Sequence, residues 1–218
     1  IVTHEYFGLS SDAKEAVEKI RSVSSDYYLD SNKKGKYIRN YFNLQIAHMK
    51  DMCFFCTLVD KRKIVRLLAM YESLNRYMPQ FVLWVCCMDE KSYSILSEMN
   101  IPNLILLDSK NIEVDDLNNV MLSWGKDRYI NLIKSGLSYF ILKNNHSVEK
   151  LLYLDPDIYF FSDPSMLFEA WQEGCIFVHR FPVTSEVKKP FEIFHSGLVG
   201  LLRKEGTLYF LEDCVRAC

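Results

Sequence analysis

What this chain lacks narrows its class first. No uninterrupted apolar run approaches the ~20 residues that a membrane-crossing helix needs, and the first residues do not resemble a secretory signal. Neither sign of charge dominates. Lys and Arg number 26 against 28 Asp and Glu, a formal net charge of −2, so the composition gives no sign of a nucleic-acid binder or a polybasic membrane anchor. Internal repeats and low-complexity segments are absent. The seven cysteines include no second pair at zinc-ligand spacing. Cys53 and Cys56 have that spacing, but residues three apart on an extended strand point to opposite faces. Cys86 and Cys87 are adjacent, and Cys214 and Cys218 fall on a helix-like tail. An odd number of cysteines, several within apolar runs, reads as reduced core thiols of a cytosolic protein.

What is present is ample material for a core. The chain has 218 residues, 49% of them hydrophobic, enough for one large domain or a domain with an appendage. Residues 1–50 read as a helical extension or the end of an upstream domain. Asp12 and Glu15 stand at capping-box spacing ahead of the stripe Ala13, Val17, Ile20 and Val23, and a second, aromatic-rich helix is expected over Tyr37 to His48. The first residue is Ile1 rather than Met, and the chain stops at Cys218 without an end signal. The expectation therefore leaves room for a further piece on the C-terminal side.

From residue 51 the pattern becomes an alternation. Cys53 to Val59 is a continuous apolar strand, and Ile64, Leu67, Leu68, Tyr71 and Leu74 follow at helical spacing. Phe81 to Cys87 is a second strand, with a short helix around Tyr93 to Met99. Leu104 to Leu107 is a third, and after an acidic stretch at Glu113, Asp115 and Asp116 a helix spans Arg128 to Lys143. Leu151 to Leu154 is a fourth strand. Strands buried on both faces and alternating with helices specify a mostly parallel α/β sheet. Beyond it, Asp163-Pro164 has the form of a helix start. Cys175 to Val178 and Leu198 to Leu202 read as strands, and Thr207 to Ala217 as a last helix.

The most informative stretch is Tyr153-Leu154-Asp155-Pro156-Asp157-Ile158, where a buried strand ends on two carboxylates one residue apart. Three readings compete. Asp and Pro both favour turns, so the first is a plain turn at a strand end. In the second, the carboxylates hold Mg²⁺ or Mn²⁺, hard cations that keep phosphate oxygens and waters in their other positions; this is the chemistry of a nucleotide-sugar transferase. The third is a phosphatase of the haloacid-dehalogenase type, with Asp155 as nucleophile and Asp157 as acid/base. Such enzymes carry the motif on an early strand, whereas here it follows three strand–helix units. In open α/β sheets ligands bind beyond the carboxyl ends of the strands where the strand order reverses. If the first and fourth strands are neighbours, Thr57 and Asp155 face one crevice there.

The Tyr-Leu-Asp-Pro-Asp-Ile segment, preceded by the strand–helix series from Cys53, resembles glycosyltransferases of the GT-A fold, and among them bacterial enzymes that build cell-surface polysaccharides. The resemblance covers residues 53 to the chain end. It implies a nucleotide-diphosphate sugar donor, a glycan, lipid-linked or protein acceptor, and a location in the cytoplasm or at the inner face of the membrane. It assigns Asp155 and Asp157 to the Mn²⁺ or Mg²⁺ and the diphosphate, Thr57 to the base or ribose, and Asp89 to the base. Lys134 is assigned to the diphosphate, although Ser135 follows it where many relatives have Pro. His179 is expected to face the sugar or acceptor pocket. Phe194-His195-Ser196-Gly197 resembles a Phe-Asn-Ser-Gly segment that lines the donor sugar, with His195 in place of Asn. No general base is assigned, so the inverting or retaining outcome stays open.

Plainer alternatives stand beside these roles. Lys134 also reads as a solvated helix charge, His179 and His195 as core-edge histidines, Ser196-Gly197 as a tight strand entry, and Thr57 as a β-branched strand residue. A non-catalytic nucleotide-sugar-binding module of a larger protein is the alternative for the whole domain.

Overall fold

A computed structural model describes residues 52–78, 80–112, 126–171, 174–180 and 194–216. The two helices expected within 1–50 and the acidic stretch at 113–116 lie outside the described residues. The elements run β1 (Cys53–Val59), α1 (Ile64–Tyr77), β2 (Phe81–Cys87), α2 (Glu90–Met99), β3 (Leu104–Asp108), α3 (Lys126–Asn144), β4 (Lys150–Leu154), α4 (Ser165–Ala170), β5 (Ile176–Arg180), β6 (Phe194–Leu202) and α5 (Glu205–Arg216).

The six strands form one sheet in the order β3-β2-β1-β4-β6-β5. Strands β1 to β4 are mutually parallel, and β6 inserts antiparallel between β4 and β5. Strands β1 and β4 are adjacent, with Cys56 opposite Tyr153, which supplies the strand order that the sequence alone left open. From β1 the chain moves outward to β2 and β3, then returns to the other side of β1 with β4. The reversal of strand order, where open α/β sheets bind ligands, therefore lies between the carboxyl ends of β1 and β4.

Alternation along the strands divides the core in two. Phe54, Cys56, Trp84, Leu151 and Tyr153 face α3 and α5, where Ile133, Leu137, Ile141 and Leu211 complete the packing. Phe55, Val59, Phe81, Leu152 and Leu154 face α1 and α2, with Leu67, Met70, Leu74 and Leu96. Cys53 and Cys56 accordingly pack on opposite sides of the sheet. Both faces of the central strands are covered, which is why they read as unbroken apolar runs.

Strand β6 begins at Phe194, four residues before the expected Leu198, and two further boundaries differ from the sequence expectation for identifiable reasons. Helix α2 begins at Glu90 rather than near Tyr93, because Asp89 caps it by accepting from the Ser92 amide at 2.9 Å. Strand β5 includes His179 and Arg180, expected just beyond its end. It is carried on by pairing with β6 across a bulge between Val178 and His179.

Glycine is required at position 200 of β6 by close packing. A Cβ there would stand 2.9 Å from Phe177 Cβ, 2.9 Å from the Trp171 ring and 3.2 Å from Leu152. The sheet and the Trp171 corner approach each other over a residue without a side chain.

Candidate active site at the β1–β4 crevice

Asp155 is the first residue after β4, and three elements converge on it. Its amide donates to the Gly197 carbonyl at 2.7 Å, continuing the β4–β6 ladder by one step beyond Leu154–Leu198. Its Oδ1 accepts the Tyr153 hydroxyl at 2.8 Å. The same Oδ1 stands 2.9 Å from Lys134 Nζ, which reaches it from α3. The ammonium also lies 3.4 Å from the Ser196 carbonyl and 4.7 Å from the centroid of the Tyr153 ring. It thus occupies a small cradle of one carboxylate, one carbonyl and one aromatic face.

The pairing of Tyr153 with Asp155 follows from strand geometry, since residues two apart share a face of the strand. Burial, followed by the nearby Asp155 charge and the hydrogen bond to it, pushes the Tyr153 phenol well above its usual range. The group therefore stays protonated and donates. Side-chain exposures of 15% for Lys134 and 25% for Asp155 leave this ion pair mostly screened from water.

Asp157 is more open. Arg66 of α1 stands 3.6 Å from its Oδ2, with both side chains at least half exposed, so this pair orients weakly. Pro156 between the carboxylates is buried. Beyond Asp157 the chain is pinned by the Phe160 amide, which donates to Ser73 Oγ of α1 at 3.1 Å.

The remaining candidates fall as follows. Asp89 lies at the carboxyl end of β2, with both oxygens engaged by backbone: Oδ1 accepts from Ser92 and Oδ2 from the Lys61 amide at 2.9 Å. It ties the β1–α1 loop to the start of α2. Thr57 is wholly buried within β1. Alternation puts it on the α1 and α2 side of the sheet with Phe55 and Val59, and its Oγ1 has no partner among the described residues. His179 and His195 are register partners across β5 and β6, so the backbone brings these two expected sugar-side residues opposite each other. Ser196 is exposed and Gly197 buried at the same end of β6. Asp155, Lys134, Ser196 and Gly197 are thus joined directly. Sequence reasoning passed over Tyr153 and Arg66. Tyr-x-Asp spacing could have revealed the first, whereas Arg66 is one helix charge among several.

The donor set suits a hard divalent cation. Asp155 and Asp157 offer carboxylate oxygens at one strand end; Asp155 is held through Oδ1 and Asp157 only weakly paired through Oδ2, and the other oxygen of each has no partner among the described residues. Mg²⁺ and Mn²⁺ take few protein carboxylates and fill their other positions with water and phosphate oxygens. Among the described residues no cluster of three or more His, Cys, Asp or Glu could form an all-protein cage.

The buried thiols beside and beneath this site are not poised for chemistry. Burial raises Cys53 to about 11 and both Cys56 and Cys87 to about 12, and it pushes Cys86 well up. All four are free thiols held in the unreactive protonated form.

No protein-family model matches the chain. Over 171 residues it is 23% identical to the uncharacterized protein YfnD of Bacillus subtilis (strain 168), an alignment covering 75% of this chain and 55% of that protein. Over 126 residues it is 24% identical to YfnF of the same organism, covering 58% and 42%. The chain spans about half the length of the curated relatives it matches. Among solved structures, the galactosyltransferase LgtC, determined with donor and acceptor sugar analogues, matches 75% of this chain and 64% of its own with a TM-score of 0.50 at 13% identity. That likeness shows the fold: a mixed α/β sheet of the GT-A type flanked by helices.

Proposed function

We propose that this chain is the donor-binding part of a metal-dependent glycosyltransferase, which moves a sugar from a nucleotide-diphosphate sugar to a hydroxyl of a glycan, lipid-linked or protein acceptor in bacterial surface-glycan synthesis. The observation that carries the reading is the convergence of Asp155, Lys134, Ser196 and Gly197 at the carboxyl end of β4, next to the point where the strand order reverses between β1 and β4. A paired-carboxylate motif on the fourth strand of a GT-A sheet, rather than on its first, favours a transferase over an aspartyl-phosphate phosphatase.

In this reading Asp155 and Asp157 hold Mn²⁺ or Mg²⁺ together with the diphosphate. When bound, such an ion neutralises charge that develops on the leaving nucleotide. Lys134 supplies a fixed positive charge at the edge of the diphosphate site, held in position by Tyr153 and Ser196. Thr57 and Asp89 mark the β1 and β2 side, where the base and ribose would lie; Asp89 acts there by holding the β1–α1 loop through Lys61. His179, His195, Ser196 and Gly197 border the sugar on the β5–β6 side.

Among the described residues no helix is long and apolar enough to cross a membrane. The free, buried thiols suit a reducing compartment, which supports action in the cytoplasm or at the inner face of the membrane.

The test is a thermal-shift screen of nucleotide sugars with and without Mn²⁺, on the parent chain and on Asp155→Ala and Asp157→Ala. The expected result is one class of nucleotide sugar that raises the parent's melting temperature only with Mn²⁺, an effect lost in both variants with folding retained. Equal shifts in parent and variants would remove the metal role. A phosphoryl-aspartate trapped at Asp155 with a phosphate analogue would replace the transferase with a phosphatase.

A further inference from the structure

Both inward contacts of the Asp155 carboxylate fall on one oxygen. Tyr153 Oη donates to Oδ1 at 2.8 Å and Lys134 Nζ stands 2.9 Å from the same atom, while nothing among the described residues bonds Oδ2. The backbone on either side is fixed as well. The Asp155 amide is held by Gly197 at 2.7 Å and the Ile158 amide returns to the Asp155 carbonyl at 3.1 Å. Tyr153 itself is 2% exposed, embedded between Cys56 on β1 and Val199 on β6. Its hydroxyl has little freedom to follow a carboxylate that turns.

We infer that Tyr153 is a positioning residue, which with Lys134 occupies Oδ1 so that Asp155 presents Oδ2 alone to a divalent cation. The inference rests on the metal-binding reading of Asp155. It adds that the mode of ligation is set from inside the sheet, and that this mode selects the ion. An ion of Mg²⁺ or Mn²⁺ size accepts one oxygen per carboxylate in tight octahedral geometry, whereas Ca²⁺ readily takes both oxygens of one carboxylate at longer range. A carboxylate with one oxygen engaged suits the first kind and disfavours the second. Partners that orient ligating carboxylates contribute strongly, and their loss typically weakens metal binding about 10–100-fold.

The experiment is a titration of the purified chain with Mn²⁺ in the presence of inorganic diphosphate, read from the paramagnetic resonance signal of free Mn²⁺. Ca²⁺ affinity is measured in the same cell by displacement. Asp155→Asn is expected to abolish the tight Mn²⁺ site of the parent. Tyr153→Phe keeps the ring and removes only the hydroxyl. It is expected to lower Mn²⁺ affinity about tenfold while Ca²⁺ affinity changes by less than about twofold, so that the Mn²⁺ preference collapses.

An unchanged Tyr153→Phe variant overturns the inference, and so does one that loses both ions equally, which would indicate general loosening. If the parent binds Mn²⁺ no better than Asp155→Asn, the metal reading itself fails and takes the inference with it. Where the parent binds and Asp155→Asn does not, only the role of Tyr153 is at stake. If Tyr153→Phe does not fold, Lys134→Met removes the other donor from the same oxygen and carries the same expected fall in the Mn²⁺-to-Ca²⁺ ratio.

Discussion

The amide of Asp155 donates to the carbonyl of Gly197 at 2.7 Å, and this one bond places the end of β4 against the start of β6. Residues 42 positions apart in the chain become neighbours because β6 runs antiparallel to β4. Lys134 then crosses from α3 to touch both segments, at the Asp155 carboxylate and the Ser196 carbonyl. The candidate site is a junction of three elements held by a small number of directed contacts.

Its ion pair is intermediate between a surface pair and a sealed one. Exposed pairs contribute about 0–1 kcal/mol, and breaking a fully buried pair costs about 3–5 kcal/mol. With Lys134 15% and Asp155 25% exposed, Lys134→Met is expected to destabilise the fold by about 2 kcal/mol, the range for a hydrogen bond to a charged group. A double-mutant cycle with Asp155→Asn, followed by urea denaturation, checks this. The coupling expected for residues in direct contact is about 1–2 kcal/mol.

Asp89 offers a way to separate two jobs of one carboxylate. Asp89→Ala removes the cap of α2 and the hold on the Lys61 amide together, and is expected to cost about 1–2 kcal/mol in denaturant unfolding. Asp89→Asn keeps a capping oxygen for Ser92 but turns its amide donor toward Lys61. It should cost less, while amide hydrogen exchange at Lys61 speeds up. Equal exchange at Lys61 in the parent and Asp89→Asn would show that the tether does not order the β1–α1 loop.

Gly200→Ala tests the close approach of β6 to Trp171 and Phe177. A Cβ at 2.9 Å from two atoms that belong to a packed corner forces repacking, and overpacking of this kind costs about 1–3 kcal/mol. A lowered melting temperature by circular dichroism, with unchanged metal binding, is the expected pair of results. Gly206, where a Cβ would meet nothing within 4 Å, is the control position; Gly206→Ala is expected to leave the melting temperature unchanged or raise it.

Alkaline stability follows from the buried thiols. Cys56 and Cys87 are raised from 9.0 to about 12 by burial, so the folded state retains protons that the unfolded state releases. Stability is fully present below pH about 9 and is lost as pH rises toward 12, because the unfolded chain binds fewer protons there. Melting temperatures should hold between pH 8 and about pH 9 and fall between pH 9 and pH 11. At pH 8 a thiol reagent is expected to label the exposed Cys175 while Cys56, Cys86 and Cys87 stay protected. Rapid native labelling of those three would contradict the burial.

The sequence by itself determined the type of each central element and the pair of carboxylates. Continuous apolar runs at Cys53–Val59, Phe81–Cys87 and Leu151–Leu154 read as strands covered on both faces, as the structure has them, and the sequence alone put Asp155-Pro156-Asp157 at a strand end while leaving a turn, a metal site and a phosphatase nucleophile all open. Tertiary structure decided what periodicity does not carry: the direction of β6, the meeting of Lys134 with Asp155, and the pairing of His179 with His195. It also separated residues that looked equivalent. Thr57 and Asp155 lie near the ends of adjacent strands, yet the first is sealed within the sheet and the second emerges from it. The physical reason is range. Burial patterns and turn chemistry act over a few residues and are written in the local sequence. The orientation of a carboxylate depends on donors that arrive from other elements, and their arrival is settled only when the sheet assembles.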